Sequence, residues 1–238
     1  MAMTLDLLMQ QLHAAHGDNL RGVVVYGSTA ANSAAARGHN VLVVVRTLDM
    51  AGLQASGAIA QAWHEAGNPA PLTMTEAEWR SSRDVFAIEH ADIAARHRVL
   101  HAADGFAIPA VGDVKPADLR HQLEYEVLSL TLGVRSAIAG AGRDARAQRA
   151  VLADNASRAV ALLRAVLRME QREVPADAEA VCAAAEGLTG VPAGAFVNAL
   201  KQRAGNDIPK TDVGNAVGAF HESLAALVAW VDARPTAS

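Results

Sequence analysis

Cysteine is nearly absent. Cys182 stands alone, so no disulfide can form within the chain, and a reducing compartment is the expected setting. Aromatic residues make up only 4%, which leaves Ala and Val to supply most of an apolar fraction of 51% and predicts a core of small side chains on closely approaching helices. No charged start followed by an apolar segment opens the sequence, and no run of about 20 apolar residues occurs, so neither a secretory leader nor a membrane partner is expected. Basic residues are in no excess either. Lys and Arg number 21 against 25 Asp and Glu, for a formal net charge of −4 and a pI near 6.1, which argues against an extended nucleic acid as partner. A soluble, cytoplasmic protein is the expectation.

What is present divides in two. With roughly 150 residues per domain, 238 residues make one large domain or two small ones, enough to bury a core without staples. Leu5, Leu8, Met9 and Leu12 share a helical face over residues 3–16, and Gly17 stops it. "RGVVVYGS" and "NVLVVVR" are continuous apolar runs that predict buried strands, and "TAANSAAA", residues 29–36, predicts a short helix between them. A helix capped by Asp49 follows over 49–67, and then a weaker strand over 69–75 with two prolines at its start. Thr75 with Glu78 predicts a capping box and a short helix, then a strand or extended piece around "VFAIEHADI" and a turn near Asp104-Gly105. The Pro-, Gly- and Asp-rich stretch at 108–118 places a domain boundary, so the expected division is 1–112, an α/β domain, and 118–232, a helical bundle, with a loose tail at 233–238. In the second half, Leu119, Leu123, Val127, Leu130 and Val134 repeat at three and four, as do Leu152, Ala156, Ala159, Leu163 and Leu167. Two long amphipathic helices follow from that spacing, then shorter ones over roughly 177–187, 192–204 and 212–232.

The segment with the most chemistry is the turn Gly27-Ser28 between a strand and a helix start. Glycine lets the backbone approach a phosphate, while a serine hydroxyl and N–H groups at a helix start suit anionic oxygens. Strand, Gly-Ser, helix, second apolar strand is a layout that resembles the nucleotidyltransferase fold related to DNA polymerase beta, carried here by Gly27, Ser28 and "NVLVVV". The run from "PLTMTEAEWRSSRDVFAIEHADIAARHRVLHAADGF" through "LRHQLEYEVLSLTLGVR" is similar to bacterial nucleotidyltransferase-domain proteins of uncharacterised role, and the likeness covers about residues 20–140. It implies an N-terminal mixed-sheet nucleotidyltransferase-like domain, α+β in class, followed by an all-α bundle, with a nucleotide as the ligand.

In that fold the second strand carries carboxylates two residues apart, both aimed at the same magnesium ions. Here the matching positions are Gly38 and Asn40, and the register shifted by one gives His39 and Val41. Neither supplies an acid, and the third strand, Leu72, Thr73, Met74, Thr75, has none before Glu76 and Glu78. Gly27, Ser28 and Asn40 are therefore the candidate ligand-binding residues; no metal ligand and no catalytic residue is assigned. Two charges about 4 Å apart interact by roughly 4 kcal/mol at a dielectric of 20, so losing all these carboxylates predicts a degenerate member of the superfamily. It would act as a nucleotide sensor or a protein-binding module, with its alanine-rich helices offering a surface for a homodimer. The alternatives are an active nucleotidyltransferase using magnesium and a nucleoside triphosphate on a small-molecule acceptor, with Asn40, Glu89 or Glu124 recruited, and a scaffold without a ligand.

Other clusters have plainer explanations. Arg80, Arg83, Asp84, Glu89 and Asp92 read first as surface ion pairs. His97 and His101, four apart on an expected helix, would pair for zinc only with Glu89 or His90 as a third ligand. Arg120 and Glu124 make an intrahelical pair, beside His121 and Tyr125. Cys182, in an alanine-rich helix, reads as a small buried hydrophobe.

Overall fold

The computed structural model describes residues 3–27, 30 and 38–234, in two compact units, residues 1–114 and 115–238. Ser28, the helix expected over 29–36 apart from Ala30, and the tail from 235 lie outside the described residues.

Unit one is built on a four-stranded sheet of β1 (Leu20–Tyr26), β2 (Asn40–Val45), β3 (Leu72–Thr75) and β4 (His97–Ala102), in the order β3-β2-β1-β4. β1 runs antiparallel to both β2 and β4, whereas β3 runs parallel to β2. The parallel pair needs a crossover, and α2 (Met50–Glu65) supplies it. Asp49 caps α2 as expected, its carboxylate accepting from Gly52 N–H at 2.8 Å.

Because side chains alternate along strands, each face of the sheet gathers its own core. Val23, Val25, Val41, Val43 and Val45 meet α1 (Leu5–His16) and α2, through Leu8, Leu12, Ile59 and Trp63. Val24, Leu42 and Val44 meet Trp79 of α3 (Glu76–Ser81) and Ile93 of α4 (Ala87–Ala95), with Tyr26 and Phe106 alongside. Both faces are covered, which explains why β1 and β2 read as unbroken apolar runs. The capping box is present: Thr75 Oγ1 accepts from Glu78 N–H at 3.2 Å and Glu78 Oε2 accepts from Thr75 N–H at 2.7 Å.

Two expectations fail here. "VFAIEHADI" is not extended; residues 87–95 form α4. Its β-branched and aromatic content suggested a strand, but Val85 and Phe86 are exposed ahead of the helix. The buried set, Ala87, Ile88, His90 and Ala91, recurs at helical spacing. His97 and His101 lie on strand β4 and not on a helix. His97 Nδ1 donates to Ile93 O at 2.8 Å, while the ring of His101 meets that of His13 edge-on at 4.7 Å, so the two do not converge on one metal.

Gly22 allows a close approach. A Cβ built on it would lie 2.4 Å from Cε1 and Cζ of Phe106, which packs against that stretch of β1. Gly22→Ala therefore forces Phe106 to move and is expected to lower stability by about 1–3 kcal/mol, read as a reduced urea midpoint at unchanged slope.

Unit two is all helical: α5 (Pro116–Ala141), α6 (Ala145–Met169), α7 (Ala178–Thr189), α8 (Gly194–Arg203) and α9 (Val213–Asp232). Leu123, Val127, Leu130 and Val134 of α5 and Leu152, Ala156, Ala159 and Leu163 of α6 are all buried, the stripes their spacing predicts. Phe196 and Phe220 meet edge to face at 5.8 Å in its core. Arg158 bonds Glu126 at 2.6 Å, linking α6 to α5. Cys182 is buried, and burial pushes its thiol up to about 11, which leaves it an inert packing residue. Among the described residues no helix is long and apolar enough to cross a membrane.

Candidate functional site

β1 ends at Tyr26, and Gly27 turns the chain. Its φ is +83°, a left-handed conformation open to glycine at little cost, and its carbonyl accepts from Ala30 N–H at 3.1 Å to close the turn. The Gly27 N–H donates to Arg96 O at 3.0 Å, so it is spent on joining β1 to the end of α4 and does not face a ligand. Gly27 therefore contributes shape. Nδ2 of Asn40 lies 3.1 Å from where a Cβ on Gly27 would stand, so the structure brings these two candidate residues close together, and a side chain at 27 would press on Asn40 as well as meet an unfavourable φ.

The approach to β2 separates the residues at 38–41 by the face they serve. Gly38 has φ +79° and a backbone N–H donating to Gly67 O at 3.3 Å, so a turn occupies the first position. His39 and Val41 are both buried, His39 stacked on Trp63 with its N–H donating to Asn68 Oδ1 at 3.1 Å. They face the α1–α2 core. Asn40, between them on the strand, points to the opposite face.

Across the strands, Tyr26 stands opposite Asn40 on β2 and opposite His97 on β4. All three share the face that α4 covers. The phenol of Tyr26 is pushed up to about 12, first by burial and then by the negative charges of Glu89 and Asp92. Those two residues are three apart on α4, on one side of the helix. Carboxylates of α4 thus act on the phenol of Tyr26, at the Gly27 end of the sheet. Because Ile93 O can only accept, Nδ1 of His97 carries a proton in that bond.

From the sequence, Gly27, Asn40 and Glu89 are candidates for the site, Asp92 reads only as a surface ion-pair residue, and Tyr26 has no role. Their signal was available only with α4 recognised as a helix, since the i, i+3 spacing of Glu89 and Asp92 has no meaning on a strand. Glu124, the other acid considered, pairs with Arg120 at 2.7 Å, and Arg120 also donates to Arg234 O at 3.1 Å. Tyr125 is exposed. Among the described residues no group of three His, Cys, Asp or Glu side chains is placed to hold a metal ion.

The geometry yields a direct prediction. Glu89→Gln with Asp92→Asn removes two charges that oppose ionisation of Tyr26, so its phenol should titrate at lower pH, read as a shift of the tyrosinate absorbance curve against wild type. A second pH effect lies at His90, which is stacked on Trp79 at 4.0 Å and bonded through Nε2 to Ser82 Oγ at 3.1 Å. Burial, helped by the charge of Arg83, holds it down at about 4 against an ordinary 6.5. Between these values the unfolded chain binds a proton that the folded chain refuses. Stability present above pH 6.5 is lost as pH falls toward 4. Urea midpoints at pH 7.5, 6 and 5 should decline, and decline less in His90→Phe.

No protein-family model and no curated protein matches the chain. Among solved structures, the spectinomycin adenyltransferase AAD(9) from Enterococcus faecialis, crystallised with ATP and spectinomycin, aligns with 94% of this chain and 100% of that chain. The TM-score is 0.58 at 13% sequence identity. The fold is that of a nucleotidyltransferase. The likeness spans the mixed sheet and the helical part alike, and at this identity it establishes architecture alone.

Proposed function

We propose that the Gly27 end of the sheet binds a nucleoside triphosphate and that the site transfers its nucleotidyl group to a hydroxyl of a small molecule. The observation that carries the reading is the gathering of Tyr26, Gly27 and Asn40 on neighbouring strands beneath the two carboxylates of α4. Glu89 and Asp92 supply the acidity that β2 and β3 lack. Two carboxylates and a neutral amide oxygen fit magnesium, which commonly takes one or two protein carboxylates and completes its shell with water and phosphate oxygens. Bound there, the ion would offset charge developing on the phosphate. The protein's own part is to keep side chains off the phosphate path at Gly27, to present Asn40 as a polar contact, and to hold a carboxylate of α4 ready to take the acceptor's proton.

The neighbouring structure favours ATP as the nucleotide and spectinomycin as the first acceptor to try. A second reading follows from Gly38 and Asn40 standing where acids are expected. Without a working metal site, the same cradle is a nucleotide sensor, and signalling then passes through a protein partner or a second copy of the chain.

A thermal-shift series with ATP, GTP, CTP and UTP, each with and without magnesium, separates these. Stabilisation that requires magnesium, with pyrophosphate released when an acceptor is added, supports transfer. Equal stabilisation in EDTA supports the sensor. No shift with any nucleotide contradicts both and leaves a scaffold.

A further inference from the structure

We propose that unit one carries a second small-molecule site, at the opposite end of the sheet from Gly27, and that it takes a small planar organic carboxylate. The register fixes the location. Leu20, Val45 and Thr75 lie at one end of the sheet, Tyr26 and Asn40 at the other. A hollow of about 400 Å³ opens at the first of these ends, between α3 and the segment 105–113, within the range of small-ligand pockets.

Its walls are held in place independently of any ligand. Arg21, the extra residue where the β1–β2 register shifts, reaches across both sides of the hollow. Its Nε meets Glu76 Oε2 at 3.1 Å at the start of α3, and its Nη2 donates to Asp104 O at 2.7 Å in the opposing turn. Phe106 is seated over Gly22, and Trp79 is fixed by its stack on His90. Phe106, Trp79 and Ile108 give the hollow flat and apolar surface, which suits a ring.

Charge selects the rest of the ligand. Glu76 is shared between Arg21 and Arg80, the latter at 2.7 Å, and Asp113 accepts from Ala110 N–H at 3.0 Å. Arg83 also lines the hollow, yet has no hydrogen bond or ion pair among the described residues. Of the two guanidinium groups that line the hollow, Arg80 is engaged by Glu76, and Arg83 is the one left to meet an anion. A planar fork of donors matches a carboxylate, preferably through two parallel bonds. The flanking Glu76 and Asp113 penalise a dianion, so the complement is a monoanion on a flat apolar body. Nothing in this argument depends on the nucleotide reading of the Gly27 end.

The test is an ¹H–¹⁵N NMR titration of the full chain with three probes: indole-3-acetate, tryptamine as the same ring with the opposite charge, and phenyl phosphate as a dianion. Indole-3-acetate is expected to give saturable shifts at the amides of Arg83, Gly105, Phe106, Ala107 and Ile108, with tryptamine silent and phenyl phosphate weaker. Arg83→Gln should weaken indole-3-acetate at least tenfold. Ala107→Trp, which fills the hollow without removing a charge, should abolish the shifts while leaving the resonances of β2 unmoved. Absence of saturable shifts at those amides, equal affinity in Arg83→Gln, or binding of tryptamine or phenyl phosphate as tight as that of indole-3-acetate would overturn the proposal.

Discussion

Glu89→Gln is expected to cut magnesium-dependent nucleotidyl transfer by roughly 10²- to 10⁴-fold, the usual contribution of a positioned general base. The side chain keeps its size and its place on α4, so the loss isolates the negative charge. Asp92→Asn should act differently. If it serves mainly as a magnesium donor, its loss raises the magnesium needed for half-maximal rate more than it lowers the rate at saturating metal. The residues also differ in what a merely structural role would predict, because an acid that only packs against Tyr26 would leave both quantities unchanged in the amide variant. Pyrophosphate release, measured against magnesium concentration for both variants, reads all of this, and unchanged kinetics in Glu89→Gln would remove it from the chemistry.

Trp63→Ala is expected to cost about 3–5 kcal/mol, among the largest effects of any single change in unit one. Trp63 is buried at 1% exposure between α2 and the sheet, and its indole N–H has no hydrogen-bond partner among the described residues, so the loss is almost wholly one of packing. The consequence reaches the site. Trp63 stacks on His39, and its carbonyl accepts from Asn68 Nδ2 at 3.4 Å, while Asn68 in turn accepts from His39 N–H at 3.1 Å. That chain of contacts fixes the strand entry directly before Asn40. A denaturant midpoint should fall sharply, and nucleotide affinity at low denaturant should fall with it. A variant that loses stability but keeps full affinity would show that Asn40 is positioned by β1 alone.

What the sequence disclosed was governed by which forces act locally. The apolar runs of β1 and β2, the capping box at Thr75 and Glu78, the cap at Asp49 and the stripes on α5 and α6 depend on near neighbours, and each is present. Segment 85–102 was not legible. Val85, Phe86, Ile88 and Ile93 carry strand propensity, and only burial against Trp79 and the sheet makes 87–95 a helix. His97 and His101, four apart, mimic a helix pair, but pairing with β1 makes a strand of them. With α4 misplaced, the two acids over Tyr26 fell apart, and β2 was left to account for the charge by itself.

The central claim is that the acids of α4 replace those missing from β2 as the metal-facing side of a nucleotide cradle. Paramagnetic broadening by manganese measures it most directly, with ¹H–¹⁵N spectra of the full chain recorded with ATP, before and after substoichiometric manganese. The account predicts that the amides of Tyr26, Gly27, Asn40, Glu89 and Asp92 broaden first, and that Glu89→Gln with Asp92→Asn abolishes the effect while ATP is present in excess. Broadening centred elsewhere, or undiminished in the double variant, would contradict it.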